Sequence, residues 1–201
     1  MSELRVKPHV IREVPGMGKV FDFRGTGLLH GTGVKIRPQI GVMHIPVYPN
    51  KPDYQDFLGL AGVLRDRGLN LQTATDRDGN VALFTRMDEM CWQAKGANQV
   101  SWGCEHMHMT VSESWTRRQL RAAAWLTYRS WRDYGIPPQM ADLEPGRGVV
   151  RVKRRGITSH KNVADKAGFH DRIDPGPKFD WEYVFHCVKW YPRHHSSFVG
   201  A

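Results

Sequence analysis

The chain has 201 residues, of which 40% are hydrophobic and 10% aromatic, which is enough for one folded domain with a buried core. No apolar run approaches the roughly 18 residues of a membrane-spanning helix, so we expect no membrane insertion. The formal net charge of +9 indicates an anionic partner, either nucleic acid or another acidic polymer, although a solvated basic surface would explain the same charge.

The N-terminal region carries no export signature. Residues 1–14 alternate charged and apolar side chains without the hydrophobic segment of a signal peptide, so we expect synthesis in a cytoplasm without a cleaved signal. Residues 1–38, rich in glycine and proline, are predicted to form an N-terminal arm packed on a single domain of residues 39–201. The three cysteines cannot all pair, and we expect free thiols.

A buried strand is predicted where the apolar run from residue 39 ends in His44-Ile45-Pro46, because proline ends a strand. His44 would then lie at a strand end, where α/β proteins usually place their sites. A hydrogen-bonded core histidine explains the same pattern equally well.

A packing helix and a hairpin are predicted next. Residues 53–68 have apolar side chains at helical spacing and end in a glycine. Residues 69–84 contain two runs typical of β-strands, and the Asp78-Gly79 pair between them is typical of a hairpin turn. A loop over residues 87–98 follows, and its Trp92 belongs either to the core or to the wall of a substrate groove.

Residues 100–110 predict a strand with Glu105 on one face and His106 and His108 on the other. A carboxylate among apolar neighbours must be paired, shifted in pKa or functional. The two histidines have the spacing of metal ligands on a strand, so a rival metal site is conceivable there.

Two more packing helices are predicted. Residues 113–134 would form the longest, capped by Ser114 or Thr116, with Trp131 in its buried stripe. Residues 179–190 would form the last helix. We expect the tail from residue 191 to fray, and we predict no metal site at His194-His195.

The region between these two helices contains two candidate site residues, a histidine and an aspartate. The β-branched runs at 149–152 and 156–158 predict a strand that delivers His160 at its end, and residues 161–173 predict a loop. Asp174 begins an Asp-Pro-Gly-Pro turn, in which two fixed φ angles flank one permissive residue. Such stiffness suits a metal ligand.

His44, His160 and Asp174 form a candidate metal site. Two imidazoles and a carboxylate suit zinc and leave a fourth position for water, whose pKa zinc lowers to roughly 7. Glu105 could then act as the general base, and Arg172 could stabilise an oxyanion. These groups together are suited to hydrolysis of an amide bond.

Several segments, taken together, resemble one known family. Its members share segments matched in order by GVMHIP, RDGNVALFTRMDEMCWQAKGAN, SWGCEHM, SHKNV and RIDPGPKFDW, of which the last is the most specific. The family is that of the zinc-dependent N-acetylmuramoyl-L-alanine amidases, which share their fold with peptidoglycan-recognition proteins and many phage endolysins. The resemblance covers roughly residues 39–190 and leaves the N-terminal arm unexplained.

The resemblance implies roles for individual residues. The implied zinc (Zn²⁺) ligands are His44, His160 and Asp174, and Glu105 matches the catalytic glutamate. Arg172 stands where the family usually has lysine, and a guanidinium differs in shape from an ammonium group. Gln93 stands where many members have histidine, which predicts an altered substrate contact. The predicted substrate-binding residues are Trp92, Gln93 and Asn98.

The resemblance also implies an α/β fold, with a central mixed β-sheet flanked by helices and zinc in a groove at one end. The implied substrate is peptidoglycan, cut between the lactyl group of N-acetylmuramic acid and L-alanine. We expect a monomeric phage endolysin that waits in the host cytoplasm and then acts on the cell wall.

Three alternatives stay open. A non-catalytic peptidoglycan-binding module would have the same fold, but such relatives commonly lack the third zinc ligand. A nucleic-acid-binding protein would explain the charge, yet no basic run is interleaved with aromatic residues, and we expect no specific nucleic-acid binding. A cytoplasmic muropeptide-recycling amidase would share the chemistry and differ only in substrate preference.

Overall fold

A seven-stranded sheet forms the centre of the protein in the computed structural model, which describes residues 7–14, 16–52 and 54–191. In chain order its strands are β1 (His9–Glu13), β2 (Lys19–Asp22), β3 (Ile40–His44), β4 (Thr73–Thr75), β5 (Val81–Leu83), β6 (Ser101–His106) and β9 (Gly156–Ser159). A separate two-stranded sheet contains β7 (Asp142–Pro145) and β8 (Val150–Arg154). The helices are α1 (Gln55–Asp66), α2 (Arg117–Tyr134), α3 (His160–Ala167) and α4 (Trp181–Val188).

The central sheet is mixed, in the order β1-β2-β5-β4-β6-β3-β9. Strand β3 is parallel to both of its neighbours, β6 and β9, whereas β4 and β5 form an antiparallel hairpin. β1 and β2, from the predicted N-terminal arm, form one edge of this same sheet. The predicted α/β class with a mixed sheet is therefore confirmed.

Helices cover both faces of the sheet. On one face, α2 and α4 pack against side chains such as Met43 and Trp102. On the other face, α1 packs against Phe21 and Ala82, and α3 packs near Val42. Neighbouring residues of β3 thus contact opposite layers, as the period of two in a strand requires. Within the described residues, no helix combines the length and apolar character that crossing a membrane requires.

The long helix α2 begins later than the sequence predicted. Thr116 caps it by accepting a hydrogen bond from the backbone N–H of Gln119 (3.0 Å), and Gly135 ends it with a φ of 66°. The predicted start at Glu113 is four residues too early, because that glutamate instead accepts a hydrogen bond from the N–H of Met109 (2.8 Å). The prediction that Trp131 is buried is also wrong, since 42% of it is exposed.

The segment around His160 differs most from its prediction. The β-rich runs at 149–152 and 156–158 belong to two strands in different sheets, β8 and β9. The predicted loop over 161–173 is wrong in its first half, which is helix α3. Ser159 caps this helix and Gly168 ends it, and Val163 and Ala167 are buried. Eight residues are too few for a helical period to stand out in a sequence.

Two other predictions concern the cysteines and the tail. Cys91, Cys104 and Cys187 are free thiols, as predicted. The tail beyond Tyr191, with the His194-His195 pair, lies outside the described residues.

Candidate metal centre

The parallel pairing of β3 and β9 brings two histidines to the same edge of the sheet. The register pairs Ile40 with Gly156 and Met43 with Ser159, so His44 and His160 follow at equivalent positions. His44 is the last residue of β3, and His160 is the first residue of α3. The N–H of Lys161 donates to the carbonyl of Asp174 (3.1 Å), which holds the aspartate turn against the start of α3.

Three ligand-type atoms converge at this edge. His44 Nδ1 lies 2.9 Å from His160 Nδ1, and Asp174 Oδ2 lies 3.2 Å from His160 Nδ1 and 3.6 Å from His44 Nδ1. All three residues are buried. In the described part of the chain, this is the only group of three or more His, Cys, Asp or Glu side chains whose ligand atoms cluster closely enough for a metal ion.

The donor set fits a tetrahedral zinc ion. Ligand atoms about 2.0–2.1 Å from such an ion are separated from one another by about 3.3 Å. The separations of 2.9, 3.2 and 3.6 Å are centred on that value. Two imidazoles and one carboxylate are ordinary zinc ligands, and three protein ligands leave a position open to solvent.

The protonation states also suit a cation. Burial, followed by the nearby His160, lowers the pKa of His44, so its ring is neutral and has a lone pair to offer. Burial alone would raise the pKa of Asp174, but the adjoining imidazoles of His160 and His44 outweigh it and hold that pKa well below its usual range. A neutral imidazole and an ionised carboxylate are the forms that bind metal.

Glu105 lies beside the three donors. It is the register partner of His44 on β6, and its Oε2 is buried without a hydrogen-bond partner in the described chain. Burial, then the charge of Asp174, raises the pKa of Glu105 to about 8, while Arg172 acts in the opposite direction. A carboxyl group with such a pKa exchanges its proton near neutral pH, which suits general acid–base chemistry.

Arg172 and Trp92 are exposed. Arg172 precedes the aspartate turn, with its Nε 3.9 Å from Asp171 Oδ1, and its charge reaches Glu105. Trp92 is 50% exposed on the loop after β5, so it is not a core residue. Of the two roles predicted for Trp92, the core is therefore wrong, and the wall of a substrate groove stays a prediction.

Gln93 and Asn98, the other predicted substrate contacts, have partners within the chain. Gln93 Oε1 lies 2.6 Å from His44 Nε2. Asn98 Oδ1 accepts hydrogen bonds from the backbone N–H groups of Gln93 (3.2 Å) and Ala94 (2.8 Å), and so shapes the loop. Sequence reasoning missed the contact with His44, and no local pattern signals it.

The alternative prediction of a metal site at His106 and His108 is wrong. His106 Nδ1 is 2.6 Å from Thr75 Oγ1, and its Nε2 is 3.2 Å from the sulfur of Met43. His108 Nε2 is 2.8 Å from Gln119 Oε1. Burial lowers the pKa of both histidines, which are neutral core residues with hydrogen-bond partners.

The fold and this donor group define an α/β protein with a buried candidate metal centre at the end of its parallel strands. Residues 37–177 match the family model described as N-acetylmuramoyl-L-alanine amidase, and the chain belongs to that family. The resemblance in the sequence motifs is thereby confirmed.

Several solved structures share the fold at low sequence identity. N-acetylmuramoyl-L-alanine amidase LysC from Clostridium intestinale is 15% identical, with a TM-score of 0.59 over 84% of this chain and 97% of LysC. The hydrolase AmiA from Staphylococcus aureus is 12% identical, with a TM-score of 0.62 over 94% of this chain and 96% of AmiA.

A third structure, the amidase AmiD from E. coli, was solved with the substrate anhydro-N-acetylmuramic acid-L-Ala-D-γ-Glu-L-Lys. It is 17% identical, with a TM-score of 0.52 over 79% of this chain and 60% of AmiD. No curated protein sequence matches the chain.

Proposed function

We propose that this amidase is zinc-dependent and cleaves peptidoglycan between the lactyl group of N-acetylmuramic acid and L-alanine. The observation that carries the proposal is the convergence of His44, His160 and Asp174 beside the unpartnered carboxyl oxygen of Glu105, in a chain of the amidase family. Such a site supplies a metal-binding position with a base beside it.

The chain's own residues perform the remaining steps. His44, His160 and Asp174 would hold the zinc, which would supply a Lewis acid and lower the pKa of water to roughly 7. Glu105 removes a proton from the attacking water, whose oxygen bonds to the amide carbon. Arg172 offers positive charge to the carbonyl oxygen as negative charge develops there. Glu105 then delivers the proton to the amine of L-alanine as the C–N bond breaks.

The exposed Trp92 provides a flat apolar surface on which a sugar or peptide of the substrate can lie. The net charge of +9 favours approach to the acidic polymers of a bacterial wall. The fold of AmiD, solved with a muropeptide, supports peptidoglycan as the partner.

The setting we propose is that of a monomeric phage endolysin, which waits in the host cytoplasm and reaches the wall when the membrane is permeabilised. An endolysin amidase from Clostridium intestinale has the same fold, with a TM-score of 0.60 at 16% identity. Turnover of soluble anhydro-muropeptides without any release from intact walls would instead identify a recycling enzyme.

Two substitutions separate metal binding from proton transfer. Glu105→Gln should retain zinc and lose about 10²–10⁴-fold in turnover, because only the base is removed. His160→Ala should lose both. Zinc is measured by elemental analysis and turnover by the new L-alanine amino termini released from purified wall. Glu182→Gln, an exposed change on α4, is the control. Near-wild-type activity of Glu105→Gln would remove Glu105 from the mechanism.

A further inference from the structure

Gln93 contacts the edge of the His44 ring that faces away from the other two donors. Its Oε1 lies 2.6 Å from His44 Nε2, while His44 Nδ1 faces His160 and Asp174. A neutral imidazole carries its hydrogen on one nitrogen and a lone pair on the other. If Nε2–H donates to Gln93, the lone pair must be on Nδ1, where a metal would bind.

We propose that Gln93 is a positioning residue that fixes the tautomer of His44 and thereby sets the metal affinity of the site, an inference that rests on the proposed function. When a metal-binding histidine makes a hydrogen bond through its second ring nitrogen, that bond fixes both the orientation of the ring and its tautomer. His44 is buried, so bulk water does not compete for Nε2.

The other end of the Gln93 amide contacts Ser101. Gln93 Nε2 donates to Ser101 Oγ (2.8 Å), which leaves the carbonyl oxygen for His44. A carbonyl oxygen can only accept, so in this orientation the His44 hydrogen lies on Nε2 and the lone pair on Nδ1.

Hydrogen bonds to the backbone hold the loop that carries Gln93. Asn98 Oδ1 accepts hydrogen bonds from the N–H groups of Gln93 and Ala94, which closes the loop beneath the side chain. The amide lies over Gly103 of β6, where an added Cβ would be 2.5 Å from Gln93 Oε1. A side chain at position 103 would push the amide away from His44.

Substitutions at Gln93 test this role through zinc binding. Gln93→Leu keeps approximate size but removes the acceptor, and we expect it to weaken zinc affinity by about 10–100-fold. Gln93→Glu keeps an acceptor and adds charge, which makes the imidazole a stronger ligand, so zinc should bind at least as tightly as in the wild type. If Gln93 only filled space, Gln93→Glu should bind zinc more weakly than Gln93→Leu, because a carboxylate costs more free energy to bury than an apolar side chain.

The measurement is the apparent zinc dissociation constant of the full chain, by competition with a chelator at fixed pH. Gln99→Leu is the matched control, since Gln99 is exposed on the same loop. Gly103→Ala should reproduce the loss seen in Gln93→Leu without altering either residue of the contact. If Gln93→Leu does not fold, Gly103→Ala and Gln93→Glu still decide the question.

A readout without metal is the tautomer of His44, from the ¹⁵N shifts of its ring in the zinc-free protein. We expect the Nε2–H form in the wild type and a changed tautomer ratio in Gln93→Leu. The inference is overturned if zinc affinity in Gln93→Leu stays within twofold of the wild type, or if Gln93→Glu binds more weakly than Gln93→Leu. A wild-type chain that binds no zinc would instead refute the proposed function.

Discussion

His44 and His160 are separated by 116 positions in the sequence, yet their Nδ1 atoms lie 2.9 Å apart in the folded chain. Two nitrogen lone pairs repel at this distance unless a proton or a cation lies between them. Asp174 Oδ2 completes the group and supplies negative charge. The parallel register of β3 and β9 places the two histidines at equivalent positions.

Zinc should therefore stabilise the fold. At a free zinc concentration of 100 times the dissociation constant, the free energy of unfolding should rise by about 2.7 kcal/mol. The measurement is chemical denaturation with zinc and with chelator. His44→Ala should abolish the difference, and His186→Ala, an exposed change on α4, should preserve it. Equal stability of the wild type in zinc and in chelator would contradict the metal site.

Removal of the Arg172 charge should shift the pH dependence of activity. The base must be ionised, so activity rises with pH through the pKa of Glu105. Burial raises this pKa, and the positive charge of Arg172 lowers it by favouring the carboxylate. Arg172→Ala should therefore move the acid limb of kcat/KM to higher pH. Arg172→Lys keeps the charge and should keep the limb in place. An unchanged limb in Arg172→Ala would show that Arg172 does not act on Glu105.

The buried Asp56 should make stability fall as pH rises. Burial, then the nearby Asp76, raises the pKa of Asp56 to about 7, and Asp56 Oδ2 has no hydrogen-bond partner among the described residues. Since the folded pKa exceeds the unfolded value, the folded chain holds the extra proton. The contribution of Asp56 to stability is fully present below about pH 4 and is lost as the pH rises through 7, by as much as about 4 kcal/mol.

The variant Asp56→Asn should flatten this part of the pH profile, because an amide does not titrate. The free energy of unfolding from urea titrations between pH 4 and 8 provides the slope. Asp66→Asn, on the exposed side of the same helix, should keep the wild-type slope. Asp76 and Glu105, whose pKa values burial raises to about 6 and about 8, should leave a smaller slope of the same sign in Asp56→Asn. A full wild-type slope in Asp56→Asn would contradict the assignment.

Substitution by alanine should have opposite effects on stability at two glycines. A Cβ at Gly41 in β3 would lie 2.6 Å from the Trp102 indole and 2.9 Å from Ile157, so Gly41→Ala should destabilise the fold by about 1–3 kcal/mol. A Cβ at Gly62 in α1 would meet nothing within 4 Å, and Gly62→Ala should stabilise by about 0.5–1 kcal/mol. Urea denaturation of the two variants measures both effects. A stability loss in Gly62→Ala equal to that in Gly41→Ala would contradict the packing explanation.

Local features were predictable from the sequence. The strand that ends in His44, the helix cap at Thr116 and the hairpin turn at Asp78-Gly79 each depend on residues within a few positions of one another. Glycine, proline and capping side chains restrict the nearby backbone by steric and hydrogen-bonding effects that do not require the rest of the fold. The family motifs also pointed to His44, His160 and Asp174.

Contacts across the sheet were decided by tertiary structure alone. The sequence specifies that β3 and β9 are strands. Their adjacency and register depend on how the seven strands pack together between the helices on the two faces of the sheet. The bond from Gln93 to His44 needs both that register and the bare backbone at Gly103. His106 became a core residue because Thr75 and Met43, distant in the chain, supply its partners. Hydrogen bonds between residues far apart in sequence form only when packing places them together, so no local pattern predicts them.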